Sequence, residues 1–441
     1  MTDPQPCRVI GVLDDGVASL SATALAHLRN ADLVIGGARA LTLFEANIAP
    51  GAIRRDLTGQ LSAVPEWIRA ARDAQQRCVV LATGDPLCHG IASYLAARLC
   101  IEAIEVLPNV STLQLACARI GLAWQDAKIV SIHAKDAGEW HQGAAPSHGL
   151  YALAQALRQH DRLAVLTSPF NTPDRIARLL LAEGMGDDFH LAVVERLCAP
   201  DERVVADLTP AEAAAQTFAD PNVVLLWRVR ARSSSVRFGL ADASYQQRQP
   251  DKGLITKQEV RAVSLARLQL RADSVVWDLG AGSGSVGLEA ARLCPHGHVW
   301  AIEKNEADFA IAGRNVQAFG VSNHTLVHGK APEGLSDWAD PDAVFIGGSG
   351  GELTELIALC LRRMKAGGWL VMNFVTLENL AVATQTLTTH GAAWDVLQLQ
   401  ASRSKPILHM HRMAAENPVW IVCAQPGETN AATATTGASD E

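Results

Sequence analysis

The sequence predicts an α/β protein built from two different α/β domains. Three observations carry this expectation. Short buried apolar runs ending in glycine turns alternate with helical patterns along the chain, as in parallel-sheet proteins. The two halves carry different glycine signatures: Gly11-Val-Leu-Asp-Asp-Gly16 with Gly84-Asp-Pro86 in the first, and Asp278-Leu-Gly-Ala-Gly-Ser-Gly284 in the second. A polar stretch over 231–250 lies between them and reads as a linker. The 441 residues suit two or three domains at about one per 150 residues, and 49% hydrophobic residues leave ample material for their cores.

In order, 8–13 reads as a buried strand ending at Gly11, followed by a helix over 21–30 and a short strand over 33–35 that stops at Gly36-Gly37. Strands at 78–82, 105–107 and 128–132 alternate with helices at 91–100 and 112–120. After a Gly/Pro/His-rich break over 138–149 come a helix at 151–159, a strand at 163–166, a helix at 172–183 and strands at 191–195 and 223–227. The second series opens with a helix over 257–268, for which Thr256 and Glu259 form a T-x-x-E capping box. Strands follow at 274–279, 298–302, 325–328, 343–346 and 369–373. The expected domains are 6–230 and 251–425, with a small, polar tail over 426–441 expected to be disordered.

A formal charge of −8 with no Lys/Arg block argues against a nucleic-acid partner. Nine cysteines without a C-x-x-C pair read as reduced core residues, not a disulfide framework, and no metal site is expected. The N-terminus lacks a signal-like apolar run, and no stretch of 18 apolar residues follows, so a cytoplasmic protein without a membrane span is expected.

The sharpest motif runs over 275–287. A buried strand enters a glycine turn, and a helix follows at once, so backbone N–H groups at the helix start face a ligand. Gly282, Gly284 and Gly287 also fit the dinucleotide pattern G-x-G-x-x-G, which leaves NAD open on spacing alone. Asp278 before the turn and Glu303 at the end of the next strand, placed to take a ribose diol, make the set resemble class I S-adenosylmethionine-dependent methyltransferases. That resemblance implies a Rossmann-like domain in which Thr256, Gly280, Ala281, Gly282, Ser283, Gly284, Glu303 and Ala331 hold the cofactor. Ser349, the one side chain in the Gly347–Gly351 loop, falls beside the methyl group and is a catalytic candidate; the loop also reads as a plain flexible turn. Arg403, Lys405 and Arg412 form a local positive patch suited to substrate carboxylates, or else a solvated hairpin surface.

In the first half the glycine loop, the Gly84-Asp-Pro86 turn and the Pro108-Asn-Val-Ser-Thr112 turn resemble class III, or tetrapyrrole, methyltransferases over about residues 6–230. The family's G-x-G-P-G loop keeps only its outer glycines here. The resemblance implies a two-lobed tetrapyrrole-methylase fold with Gly11, Gly84, Asp85, Ser111 and Thr112 at a second cofactor site. Asp85 also reads as a turn cap, Thr112 as a helix N-cap, and His133 as either a catalytic base or a packed strand-end residue.

A class III unit joined to a class I unit resembles the bifunctional family of decarboxylating precorrin-6Y C5,15-methyltransferases of cobalamin biosynthesis. Ala31-Asp-Leu-Val-Ile-Gly-Gly37, Leu254-Ile-Thr-Lys-Gln-Glu-Val-Arg261 and Ile346-Gly-Gly-Ser-Gly-Gly-Glu-Leu353 carry the likeness beyond the cofactor turns. It implies one S-adenosyl-L-methionine per domain, a tetrapyrrole polycarboxylate substrate, and a homo-oligomer. Methylation at C5 falls to the first domain, and methylation at C15 with loss of the C12 acetate carboxyl to the second, giving precorrin-8X. A methylase for another corrin intermediate, an NAD-dependent oxidoreductase and a non-catalytic tetrapyrrole carrier are the alternatives.

Overall fold

The computed structural model describes residues 5–133, 135–231, 236–248, 255–348 and 351–427. The chain divides into two compact units, residues 1–140 with 156–231 and residues 141–155 with 232–441.

In the first unit, β1 (Cys7–Val12), β2 (Leu33–Gly36), β3 (Ile53–Asp56), β4 (Cys78–Thr83) and β5 (Ile104–Leu107) form a parallel sheet ordered β3-β2-β4-β1-β5. Its inner strands are apolar along their whole length because helices cover both faces. A second sheet holds β6 (Lys128–Ser131), β7 (Arg162–Leu166), β8 (Phe189–Glu195), β9 (Arg203–Leu208) and β10 (Asn222–Arg228), ordered β6-β7-β10-β8-β9. Only β6 and β7 pair in parallel there; the other ladders are antiparallel. Two sheets in one unit match the two-lobed fold read from the sequence. Gly11 does not end its strand: β1 continues to Val12, whose carbonyl accepts from the Gly84 N–H at 2.8 Å. The helix Thr112–Ile120 is capped by Ser111, not by Thr112, through a reciprocal pair with Gln114.

The second unit contains β11 (Val275–Leu279), β12 (His298–Glu303), β13 (His324–His328), β14 (Ala343–Ile346), β15 (Trp369–Phe374), β16 (Ala393–Leu399), β17 (Ser402–Ile407), β18 (Met410–Ala415) and β19 (Val419–Gln425). Seven of these make a sheet ordered β13-β12-β11-β14-β15-β19-β16, parallel except for β19, while β17 and β18 pair as a separate hairpin. One face packs Trp277, Ile346, Leu370 and Val422 against Leu356, Ile357 and Cys360 of the helix Leu353–Arg363. The other packs Val276, Phe345 and Ile421 against Val286 and Ala290 of the helix Ser285–Leu293. The doubly covered sheet explains why β14 reads as an unbroken apolar run and β11 as one broken only by Asp278. The strand order reverses between β11 and β14, where α/β sheets open a crevice at the carboxyl ends of their strands.

Three expectations are corrected here. The helix expected from a Thr256–Glu259 capping box is Gln258–Arg267, with Lys257 at its N-cap and no side-chain cap. The Glu259 carboxylate is turned instead to Arg403. The described part of the polar stretch, residues 236–248, is no free linker: Tyr245 is buried, stacks on Phe319 at 4.8 Å and donates to Glu289. The Gly/Pro/His-rich break also falls partly in the second unit, where Thr325 Oγ1 donates to the Gly143 carbonyl at 2.8 Å and Tyr151 Oη bonds His298 Nδ1 at 2.7 Å. Residues 232–235 and 249–250, on which the linker expectation also fell, and 428–441 of the tail expected to be disordered lie outside the described residues. Among the described residues no helix is long and apolar enough to cross a membrane.

Candidate active site

A cavity of about 580 Å³ opens at the carboxyl edge of the second unit's sheet. The turn after β11 forms its floor. Gly280, Gly282 and Gly284 all have positive φ, which a side chain would strain. A Cβ on Gly280 would lie 2.5 Å from the Gly348 carbonyl oxygen, so the turns after β11 and β14 meet backbone to backbone. Gly287 is equally constrained: its N–H donates to Asp278 Oδ2 at 2.9 Å, and a Cβ there would lie 2.6 Å from the same oxygen. Asp278 therefore holds the start of the helix Ser285–Leu293 from beneath the turn. Burial pushes its carboxyl up to about 7, with the Gly287 N–H opposing and Glu303 adding to the rise.

Glu303 ends β12 at the cavity wall. Its Oε2 accepts the Gly282 N–H and its Oε1 the Asn305 N–H, each at 2.8 Å. Each carboxylate oxygen keeps a further lone pair for an incoming hydroxyl. Ser283 Oγ is buried in the turn with no hydrogen-bond partner among the described residues, an unmet polar atom at the place where a ligand is expected. A small ligand with a diol and a polar end fits this donor and acceptor set.

Of the residues expected to hold a cofactor in this unit, Thr256, Gly280, Ala281, Gly282, Glu303 and Ala331 line the cavity. Ser283 lies just behind the lining, its carbonyl accepting from Asn315, and Gly284 starts the helix. Gly347 and Gly348 line it as well, while Ser349 lies outside the described residues.

The three cations expected to hold carboxylates are not brought together at the cavity. Lys405 and Arg412 face each other across the β17–β18 hairpin and are exposed. Arg403 sits at the base of that hairpin, donating to Glu259 Oε1 at 3.1 Å and to Asp242 Oδ2 at 3.2 Å. Arg403 in turn holds the Glu259 carboxyl below its ordinary range. Asp242 also pairs with buried Arg261, which donates to buried Glu289 at 2.8 Å. Charges thus run in a line from the cavity wall into the core.

Sequence reasoning missed the far half of the cavity. Lys257, Asn373, Leu399, Ala401, Glu416, Asn417 and Val419 line it. Lys257 was legible only as part of a helix start, and the others belong to strands and turns that carry no motif. Asn373 is held by Ser264, whose own hydroxyl donates to the Val260 carbonyl.

In the first unit, Gly11 near the end of β1 and the turns carrying Gly84 and Ser111–Thr112 converge at one edge of the sheet. A Cβ on Gly11 would lie 2.2 Å from the Gly84 carbonyl oxygen, and one on Gly84 3.2 Å from the Thr112 nitrogen. Asp85 Oδ1 accepts the Leu87 N–H at 2.9 Å, so it does cap its turn. Ser111 spends its hydroxyl on the helix cap, leaving Thr112 as the side chain with no capping role. His133 is exposed beyond β6, with Nδ1 2.8 Å from the Thr167 carbonyl oxygen.

These two units, one with convergent glycine turns and one with a switch-point cavity, define a two-domain methyltransferase. Residues 7–212 match the family of tetrapyrrole (corrin/porphyrin) methylases, and residues 248–424 match the precorrin methyltransferase domain. A precorrin-6Y C(5,15)-methyltransferase (decarboxylating) of Sinorhizobium sp is 34% identical over 403 residues, covering 90% of this chain and 91% of that one. A cobalt-precorrin-6B C(15)-methyltransferase (decarboxylating) of Salmonella typhimurium is 41% identical over 177 residues, 40% of this chain and 91% of its own. The crystal structure of a precorrin-6Y C5,15-methyltransferase from Geobacter metallireducens is 41% identical, covering 44% of this chain and all of that one, with a TM-score of 0.42. The chain belongs to the family of decarboxylating precorrin-6Y C(5,15)-methyltransferases.

Proposed function

We propose that the chain methylates precorrin-6Y at C5 and C15 and decarboxylates its C12 acetate, yielding precorrin-8X in cobalamin biosynthesis. The observation that carries this reading is the switch-point cavity, floored by the Gly280–Gly284 turn and walled by Glu303, in a chain that matches its decarboxylating relatives along nearly all its length. S-adenosylmethionine, when bound, supplies the activated methyl group. Gly280, Ala281 and Gly282 would present backbone to its amino-acid end, Ser283 Oγ would gain a partner, and Glu303 would accept from the ribose hydroxyls. The protein's main contribution is to fix the acceptor carbon in line.

In this reading the first unit holds a second S-adenosylmethionine at Gly11, Gly84, Asp85 and Ser111–Thr112, and His133 stands as its candidate base. Lys405 and Arg412 are candidates for the carboxylates of the tetrapyrrole. Arg403 joins them only by exchanging Glu259 or Asp242 for the substrate. The enzyme is expected to work in the cytoplasm.

Titrating the full chain with S-adenosylhomocysteine by calorimetry tests the cofactor half of the reading. Two sites are expected, one lost in Gly11→Ala and the other in Gly282→Val. A chain that binds none, or binds NADH instead, overturns it.

A further inference from the structure

The cavity's two halves divide along the sheet edge. Glu303 and the glycine turn stand over β12 and β11, and Gly347 and Gly348 follow β14. Beyond them, over β15, β19 and β16, lie Asn373, Val375, Leu399, Ala401, Glu416, Asn417 and Val419. The antiparallel pairing of β19 with β15 puts Phe374 opposite Trp420, which brings residues 416–419 to the same edge as the carboxyl end of β15. Glu416 closes the base of the β17–β18 hairpin, its N–H donating to the Ala401 carbonyl at 2.9 Å. It therefore lies on the acceptor's side of the cavity, away from the ribose acid.

Three acidic residues line this cavity, and the carboxylates of two are committed. Glu259 is held by Arg403, and Glu303 accepts two backbone N–H groups. The Glu416 side chain is half-buried, and none of the described residues pairs with its carboxylate.

The reaction needs such a group. Resting on the proposed C15 methylation and decarboxylation, the proton balance is as follows. Replacing hydrogen by methyl at C15 forms a C–C bond and leaves the electrons of the broken C–H bond in the ring, so one proton departs. Loss of CO₂ from the acetate breaks a C–C bond and leaves its electron pair in the conjugated ring. The remaining methylene becomes a methyl group only by gaining one proton. One proton is lost and one gained on the same molecule, whichever bond changes first.

We propose that Glu416 is the catalytic residue that carries this proton, accepting it at C15 and delivering it to the methylene left at C12. A carboxylate beside the acceptor can serve as base and then as acid in one turnover.

The test uses the full chain with precorrin-6Y and S-adenosylmethionine, comparing wild type, Glu416→Gln and Glu416→Asp. Glu416→Gln keeps the shape and loses the proton site. Release of CO₂ is expected to fall about 100-fold or more. Affinity for S-adenosylhomocysteine stays within twofold, and the pH dependence of turnover loses one limb. Glu416→Asp restores part of the rate. Glu416→Gln releasing CO₂ at the wild-type rate overturns this inference alone, as does a fall in turnover that only follows a loss of S-adenosylhomocysteine binding. A wild-type chain that releases no CO₂ overturns the proposed function with it.

Discussion

Asp278 offers the most quantitative test of how the second unit's turn is supported. It is fully buried beneath the glycine turn, makes one hydrogen bond to the Gly287 N–H, and has no cation beside it. Burial raises its carboxyl from 3.8 to about 7. A group whose folded value is raised binds more protons folded than unfolded between those two values. Stability is therefore highest below about pH 4, falls as pH rises toward 7, and is level above that. Carrying the charge above pH 7 costs the fold up to about 4 kcal/mol. Asp278→Asn keeps an acceptor for Gly287 and removes the charge. The variant should be nearly equal to wild type at pH 4 and more stable at pH 8, the gap growing by roughly 3 kcal/mol between pH 5 and pH 8. In a unit of this size that is a change of about 6–12 °C in the difference between melting temperatures. Scanning calorimetry on both proteins across this range reads it directly, and the histidine contributions are shared and cancel. Parallel curves at pH 5 and pH 8 would refute the idea that Asp278 carries a pH-dependent burial cost.

Other consequences can be checked as simply. Glu303→Gln keeps one accepting oxygen, sets an NH2 against the other backbone N–H and loses the charged acceptor. S-adenosylhomocysteine should then bind the second unit about 10–100-fold more weakly by calorimetry. Arg261→Ala leaves buried Glu289 without its cation and should destabilise the second unit by about 3–5 kcal/mol in urea unfolding, with Arg261→Met/Glu289→Leu recovering much of the loss. Burial holds His298 down to about 3 and His324 down to about 4, against an ordinary 6.5. Their folded values are depressed, so the stability tied to neutral rings is complete above 6.5 and is lost as pH falls toward 4. His324→Leu should flatten that acid limb, and an unchanged limb would count against it. Gly11→Ala pushes a Cβ against the Gly84 carbonyl and should abolish the first unit's share of S-adenosylhomocysteine binding while leaving the second unit's intact.

Local chemistry was legible in the sequence. The alternation of apolar runs and helical patterns marks the α/β class, and the turn at 278–284 with Glu303 marks the cavity's floor and one wall. These features are short-range, because a strand, a glycine turn and a helix start follow each other within fifteen residues. What escaped is long-range. Arg403 reads as a free cation because Glu259 and Asp242, which neutralise it, lie 144 and 161 positions away. The T-x-x-E pattern at 256–259 is a sound local signal for a cap, yet the Arg403 ion pair takes its acid. The strand β3 escaped because all four of its residues are exposed, leaving no buried apolar run to find. Tyr245 sits in a polar run whose partner, Glu289, belongs to a distant helix, so a packed segment read as a linker. Asn373 and Glu416 gain meaning only when the edge of the sheet gathers them.

The most direct test of the account is the mass of the tetrapyrrole formed when the full chain is given precorrin-6Y and excess S-adenosylmethionine. The account predicts a single product heavier by two methyl-for-hydrogen replacements and lighter by one CO₂, with two equivalents of S-adenosylhomocysteine released. A product that gains methyl groups but keeps every carboxyl, or a substrate returned unchanged, would contradict it.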